Sequence, residues 1–234
     1  MTMRAAFSTG LALLAALTLP QSASAQELAT LQQKLAAAQQ AAAQNQQALR
    51  AYSWISTTQL SVNGDVKNTK VESCRYGPDG TLQKTEVTAT PPADQKPGLR
   101  GMIQAKKTGE MEDQLQAATA LVKGYVPPDP NLIGAVIGNG KASLSQQGPG
   151  SVALTFPGYL KAGDALTLTF DAPLKMMTAM SVATYLNDPS TPVTLNAQMG
   201  FLPDASYPSV VTMAIPSSQI QVQITNSNYQ KVMQ

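Results

Sequence analysis

Residues 193–201 read VTLNAQMGF. Val193, Leu195, Ala197, Met199 and Phe201 alternate with Thr194, Asn196 and Gln198. Successive residues of a strand point to opposite faces, so this pattern predicts a strand with one apolar and one wet face. The same alternation recurs on both sides. Val152, Leu154 and Phe156 show it, as do Leu166, Leu168 and Phe170. It returns in 176–186, in Val211, Met213 and Ile215, and in Ile220, Val222 and Ile224 against Gln221 and Gln223. Leu202-Pro203-Asp204, Tyr207-Pro208 and Pro216-Ser217 carry turn residues between these runs.

Upstream, 54–62 and 66–76 are rich in Thr, Val and aromatic residues and flank Asn63-Gly64-Asp65, a hairpin signal. Gly77-Pro78-Asp79-Gly80 is a second turn, leading into a strand near 81–88. Connections this short pair neighbouring strands antiparallel. About nine such strands accumulate enough twist to curl into a barrel or part of one.

Two segments break the strand texture. Residues 98–125 place Met111, Leu115, Ala118, Val122 and Tyr125 on one helical face. Gly101 and Gly109 predict a break before Glu110, so that Glu110, Glu112 and Asp113 fall in a first turn and Lys123 in the last. After Pro127-Pro128-Asp129-Pro130, a short helix is expected over 131–137. Nearer the N-terminus, 27–51 is a Gln/Ala-rich helix with a stripe of Leu28, Leu31, Leu35, Ala38, Ala42, Asn45, Leu49 and Tyr52. That stripe suits either a short coiled coil with an envelope partner or an amphipathic helix laid on the protein's own sheet.

The first residues read as an export leader. Arg4 is followed by an apolar run to Leu19, Pro20, and the small-residue cleavage site Ala23-Ser24-Ala25. The expected organisation is a cleaved signal over 1–25, the N-terminal helix over 26–51, and one domain over 52–234 with a helical insertion at 98–138. The fold class is α+β: a curled antiparallel sheet, an incomplete barrel, covered by helices. The expected location is the periplasm, with no transmembrane segment after cleavage, since no later stretch approaches about 20 apolar residues.

Composition narrows the chemistry. The 234 residues include no His and one Cys. That removes imidazole bases, Ser–His and Cys–His pairs and thiolate zinc sites. Sixteen Lys and Arg against fourteen Asp and Glu give no basic stripe, so nucleic acid is not an expected partner. Cys74, on a strand, reads as a small buried apolar residue. Lys141 with Ser143 is a weak catalytic pairing, and Glu110 with Asp113 lacks the further oxygens of a calcium loop. No cofactor, metal or catalytic residue is assigned.

The order leader, helix, short meander, helical insertion, long meander resembles the open β-barrels of the periplasmic lipoprotein-carrier group, including the LolA and LolB localisation factors and the N-terminal domain of RseB. The Trp54 strand running through Asn63-Gly64 into 66–76 carries the nearest local likeness. Cys74-Arg75-Tyr76-Gly77-Pro78-Asp79-Gly80 looks like a signature of a secreted bacterial family. The resemblance implies a non-enzymatic protein that binds an apolar ligand, a lipid or lipidated protein, in a helix-covered cavity. The expected lining is Leu168, Phe170, Met180, Leu195, Met199 and Met213. Eight of the ten Met follow the leader; flexible thioethers suit an adaptable apolar surface and equally well fill a core. The alternative is an envelope interaction or structural module with a filled core and no ligand. A hydrolase is a third class, disfavoured by the missing His.

Overall fold

The computed structural model describes residue 40 and residues 43–89, 99–171, 173 and 176–232; for 88, 89 and 99–108 it describes backbone only. The expected leader, most of the expected N-terminal helix and the segment holding Pro91, Pro92 and Pro97 lie outside the described residues. All described residues fall in one unit, Gln39–Gln234.

The last turns of the N-terminal helix, α1 (43–49), lead into three strands: β1 (Tyr52–Val62), β2 (Asp65–Tyr76) and β3 (Leu82–Ala89). Helices α2 (Leu99–Val122) and α3 (Pro130–Gly138) follow. Seven more strands complete the chain: β4 (Ser143–Gly148), β5 (Ser151–Pro157), β6 (Ala165–Asp171), β7 (Met176–Tyr185), β8 (Pro192–Phe201), β9 (Ser206–Ile215) and β10 (Ile220–Lys231). A 3-10 turn at Pro216–Ser218 joins the last two.

All ten strands form one antiparallel sheet in the order β3-β2-β1-β10-β9-β8-β7-β6-β5-β4. Each strand pairs with its sequence neighbour, except that β1 pairs with β10 and thereby joins the short meander to the long one. The sheet is not closed: β3 and β4 are its two edges, and α2 and α3 lie between them in sequence. Asn63 (φ 55°) and Gly64 (φ 83°) supply the left-handed pair that a two-residue hairpin needs. In the next turn Gly80 takes φ 78°, and a Cβ there would lie 2.7 Å from the Arg50 guanidinium. The turn is braced by Asp79 Oδ1, which accepts from the Thr81 N–H and hydroxyl.

Several expectations change. The described residues hold ten strands, because Ser143–Gly148 pairs with β5 although SLSQQG shows no apolar alternation. Helix α2 runs without interruption through Gly101 and Gly109. Glu110, Glu112 and Asp113 are therefore mid-helix, and neither acidic residues in its first turn nor basic ones in its last support the dipole. Tyr207-Pro208 is not a turn: both lie in β9, at a bulge opposite Met199 where a proline's missing N–H is tolerated. Asn45 of the expected heptad stripe is used within the chain. Its Oδ1 accepts from the Ser206 N–H (2.6 Å) and its Nδ2 donates to the Ser206 carbonyl (2.9 Å). This end of α1 is thus laid on the protein's own β9.

Candidate functional site

Register places the apolar residues in continuous lines across the sheet. One line runs Phe156, Leu166, Val182, Leu195, Met213, Val222, Leu60 from β5 to β1. The next runs Leu144, Leu154, Leu168, Met180, Ala197, Val211, Ile224 from β4 to β10. Beyond it, Val152, Phe170 and Met177 are paired across β5 to β7. Cross-strand partners share a face, so these lines make one apolar surface.

Helix α2 covers that surface. Met111, Leu115, Ala118 and Val122 pack against it, with Tyr125 following the helix, as the 3.6-residue period predicted. From α3, Leu132, Ile133, Val136 and Ile137 join them.

Burial falls steadily along the strands. Phe156, Leu166, Val182 and Val193 are 0–2% exposed, whereas Leu168, Met180, Leu195 and Met213 are 4–8% exposed. Leu154, Phe170, Met177, Met199 and Val211 are only half-buried. The surface is sealed at one end and accessible at the other. Of the six expected lining residues, Leu168, Met180, Leu195 and Met213 belong to the packed core and Phe170 packs against it. Met199 is paired with Pro208 at the bulge and stands apart from that cluster.

A polar knot that sequence reading missed secures the sealed end. Tyr125 is fully buried, and its hydroxyl donates to Asp164 Oδ2 at 2.5 Å, with Thr184 Oγ1 2.9 Å away. The same Oδ2 accepts from the N–H groups of Leu160 (3.0 Å) and Lys161 (2.9 Å). Burial, reinforced by the neighbouring carboxylate, raises the Tyr125 phenol far above its ordinary range, so it stays a donor. Lys161 reaches the carbonyls of Tyr185 and Leu186 and lies over the Tyr185 ring. The Asp129 N–H donates to the Tyr159 hydroxyl at 2.6 Å, tying the start of α3 to the same loop. Tyr125 was legible only as part of a helical face. Its partner, 39 residues away, left no local signal.

The face changes character beyond β1. In register with Leu60, Thr58 and Ser56 stand Asn68, Lys70 and Glu72 of β2. Lys70 Nζ lies 2.7 Å from Glu72 and 3.4 Å from Glu86; Lys84 Nζ lies 3.1 Å from Glu72. Glu72 is buried, and its hydrogen bond to Lys70 outweighs desolvation and holds its carboxyl below the ordinary value. Next along the strands, Trp54 stacks on Tyr229 (5.4 Å, 7° between planes), which meets Tyr207 at 4.0 Å. Cys74, opposite Trp54, is a buried free thiol as its strand position predicted, and burial pushes its pKa up. The weak pairing of Ser143 with Lys141 gains no support, since both are exposed. Among the described residues, no group of three or more Cys, Asp or Glu is placed to hold a metal ion. Nor, among them, is any helix long and apolar enough to cross a membrane.

No family model and no curated protein matches the chain. Solved structures similar to it include a DUF1329 family protein from Desulfovibrio piger, at 9% identity and a TM-score of 0.42, covering 86% of this chain and 92% of that one. They also include a LolA superfamily protein from Nitrosomonas europaea, at 8% identity and a TM-score of 0.34, covering 84% of this chain and 94% of that one.

Proposed function

We propose that this protein is a non-enzymatic periplasmic carrier or sensor that holds an apolar ligand, the acyl chain of a lipid or lipidated protein, against the inner face of its open sheet beneath α2. The observation that carries this reading is the gradient of burial along that face. A sheet that served only as a core would be sealed at both ends. Here the face passes from buried residues to half-buried Leu154, Phe170, Met177 and Val211, with half-buried Met111 and Leu115 of α2 packed on the same face. Flexible thioethers adapt to chains of varying shape. Binding needs no chemistry, in keeping with a chain that lacks His.

Within this reading the sealed part is structural, and Leu168, Met180, Leu195 and Met213 form the floor on which the ligand rests. Phe170 and Met199, with Met177 and Val211, are the residues that touch it. Organic extraction of the purified protein, read by mass spectrometry, should release lipid. A fluorescent fatty acid should bind the delipidated protein, and Met177→Asp should weaken that binding at least about tenfold, since a charge is placed where hydrocarbon would lie. A folded protein that releases no lipid and binds no fatty acid would sink the proposal. It would favour an interaction module whose core is filled throughout.

A further inference from the structure

We propose that the inner face reads an amphiphile in two halves, and that the Lys70–Glu72–Lys84–Glu86 ladder on β2 and β3 receives the headgroup of a zwitterionic phospholipid. The inference rests on the apolar-ligand reading above and adds what it leaves open, the class of headgroup.

Position comes first. The line that carries Leu168, Met180, Val211 and Ile224 continues across β1 through Thr58 and reaches Lys70. The charged ladder therefore shares a face with the apolar surface, and the change from hydrocarbon to charge occurs within the width of β1. Strand neighbours lie about 4.8 Å apart, so Val211 and Lys70 are separated by roughly 15 Å, within the length of one acyl chain.

Charge comes second. Two ammonium groups and two carboxylates alternate, for a formal charge of zero. Lys70, Lys84 and Glu86 keep side-chain exposures of 46%, 45% and 44%, so each can still meet a ligand. Glu72, at 10%, holds both lysines in place. A phosphate placed against Lys84 and Lys70 would find its own ammonium beside Glu86. The glycerol of an anionic phosphatidylglycerol headgroup would bring only hydroxyls to that place, so Glu86 would gain no ionic partner. The ladder therefore favours paired opposite charges over net negative charge.

The test incubates the purified protein with vesicles of equal phosphatidylethanolamine and phosphatidylglycerol, recovers it, and measures bound lipid by mass spectrometry. We expect the zwitterionic lipid to be enriched about threefold, the effect of the one partly exposed contact, ammonium to Glu86, that the anionic lipid lacks. Glu86→Lys makes the ladder net positive and should shift the preference to the anionic lipid. Glu86→Gln should fall between, and it serves alone if melting curves show the Lys variant unfolded. Lipid bound in the vesicle ratio, unchanged in the variants, overturns the headgroup assignment and leaves the ladder as protection of an open edge. Failure to bind either lipid overturns the apolar-ligand reading itself.

Discussion

Replacing Tyr125 with Phe isolates the knot that secures the sealed end. The ring is fully buried and 5.5 Å from that of Tyr159, so Phe keeps the packing and removes only the hydroxyl. Two effects follow. Asp164 Oδ2 loses its Tyr125 donor but keeps the Leu160 and Lys161 N–H groups, so the carboxylate is weakened rather than stranded. A hydrogen bond to a charged group contributes about 1.5–3 kcal/mol, and the remaining donors place this one near the lower bound. Thr184, 5% exposed, also loses the phenol as a partner, which adds ~1 kcal/mol. The expected loss is about 2.5 kcal/mol, or roughly 5–10 °C in Tm for a domain of this size. Urea and thermal melts followed by circular dichroism measure it. A double-mutant cycle with Asp164→Asn assigns the part due to the carboxylate charge: the difference between a charged and a neutral hydrogen bond should be absent in the Asn background, and the rest of the loss should remain. A Tm within about 1 °C of the parent would refute the reasoning, because it would mean that the knot contributes nothing net. Asp164 Oδ1, buried with no partner among the described residues, makes the Asn variant informative by itself. Asn can present its carbonyl to the three donors but turns two N–H groups into that unpartnered position, so it should lose at least as much as Tyr125→Phe.

Two further outcomes are expected. The Glu72 carboxyl is held below its ordinary value near 4.5, chiefly by Lys70, so its stabilising effect is complete above that value and is lost as pH falls through the lower, folded one. The gap in urea midpoint between the parent and Glu72→Gln should therefore be constant from pH 7 to about 5 and shrink in more acid solution; a gap independent of pH would contradict the ladder geometry. Cys74, 1% exposed with its thiol pKa raised, should react with a disulfide reagent only through unfolding, at less than about a hundredth of the rate in denaturant. Fast labelling of the folded protein would show that β2 opens locally.

The strand pattern carried most of this architecture because the sheet is wet on one face. Alternation at Val193, Leu195 and Ala197 or at Leu166 and Leu168 exists for that reason, and burial followed it. Where one face holds no apolar residue the signal vanishes, which is why β4, all Ser, Gln and Gly but for the exposed Leu144, went unseen. The two glycines of α2 illustrate the converse. A Gly costs about 1 kcal/mol in a helix, too little by itself to break one. Of the six expected lining residues five lie in or against one cluster, yet only the folded structure separates the packed Leu168, Met180, Leu195 and Met213 from the half-buried Phe170 and Met199. The charged ladder was hidden in the same way. Lys70, Glu72 and Cys74 alternate with Val71 and Ser73, and nothing local says which set faces inward.

Why the sheet remains open follows from its order. In a meander whose first and last strands pair, closure would require the two remaining edges to meet, here β3 and β4. The chain between them is spent on α2 and α3, whose apolar residues pack on the inner face. A cylinder of ten strands would leave an interior too wide for side chains alone to fill, since about eight strands already reach that limit. The helices take up that volume, and by taking it they need an entrance into the sheet, which the gap provides. Unpaired edges invite aggregation unless they are short, polar or charged. Strand β4 is short and polar, and β3 turns Lys84 and Glu86 onto the inner face. Inward charge on an edge strand is one of the ways a sheet discourages pairing with another chain. The same four residues can therefore keep the opening free of a neighbouring strand and still offer opposite charges to a ligand that enters through it. These two roles are separable: edge protection requires only that charge be present, whereas headgroup choice depends on its sign, which is what Glu86→Lys changes.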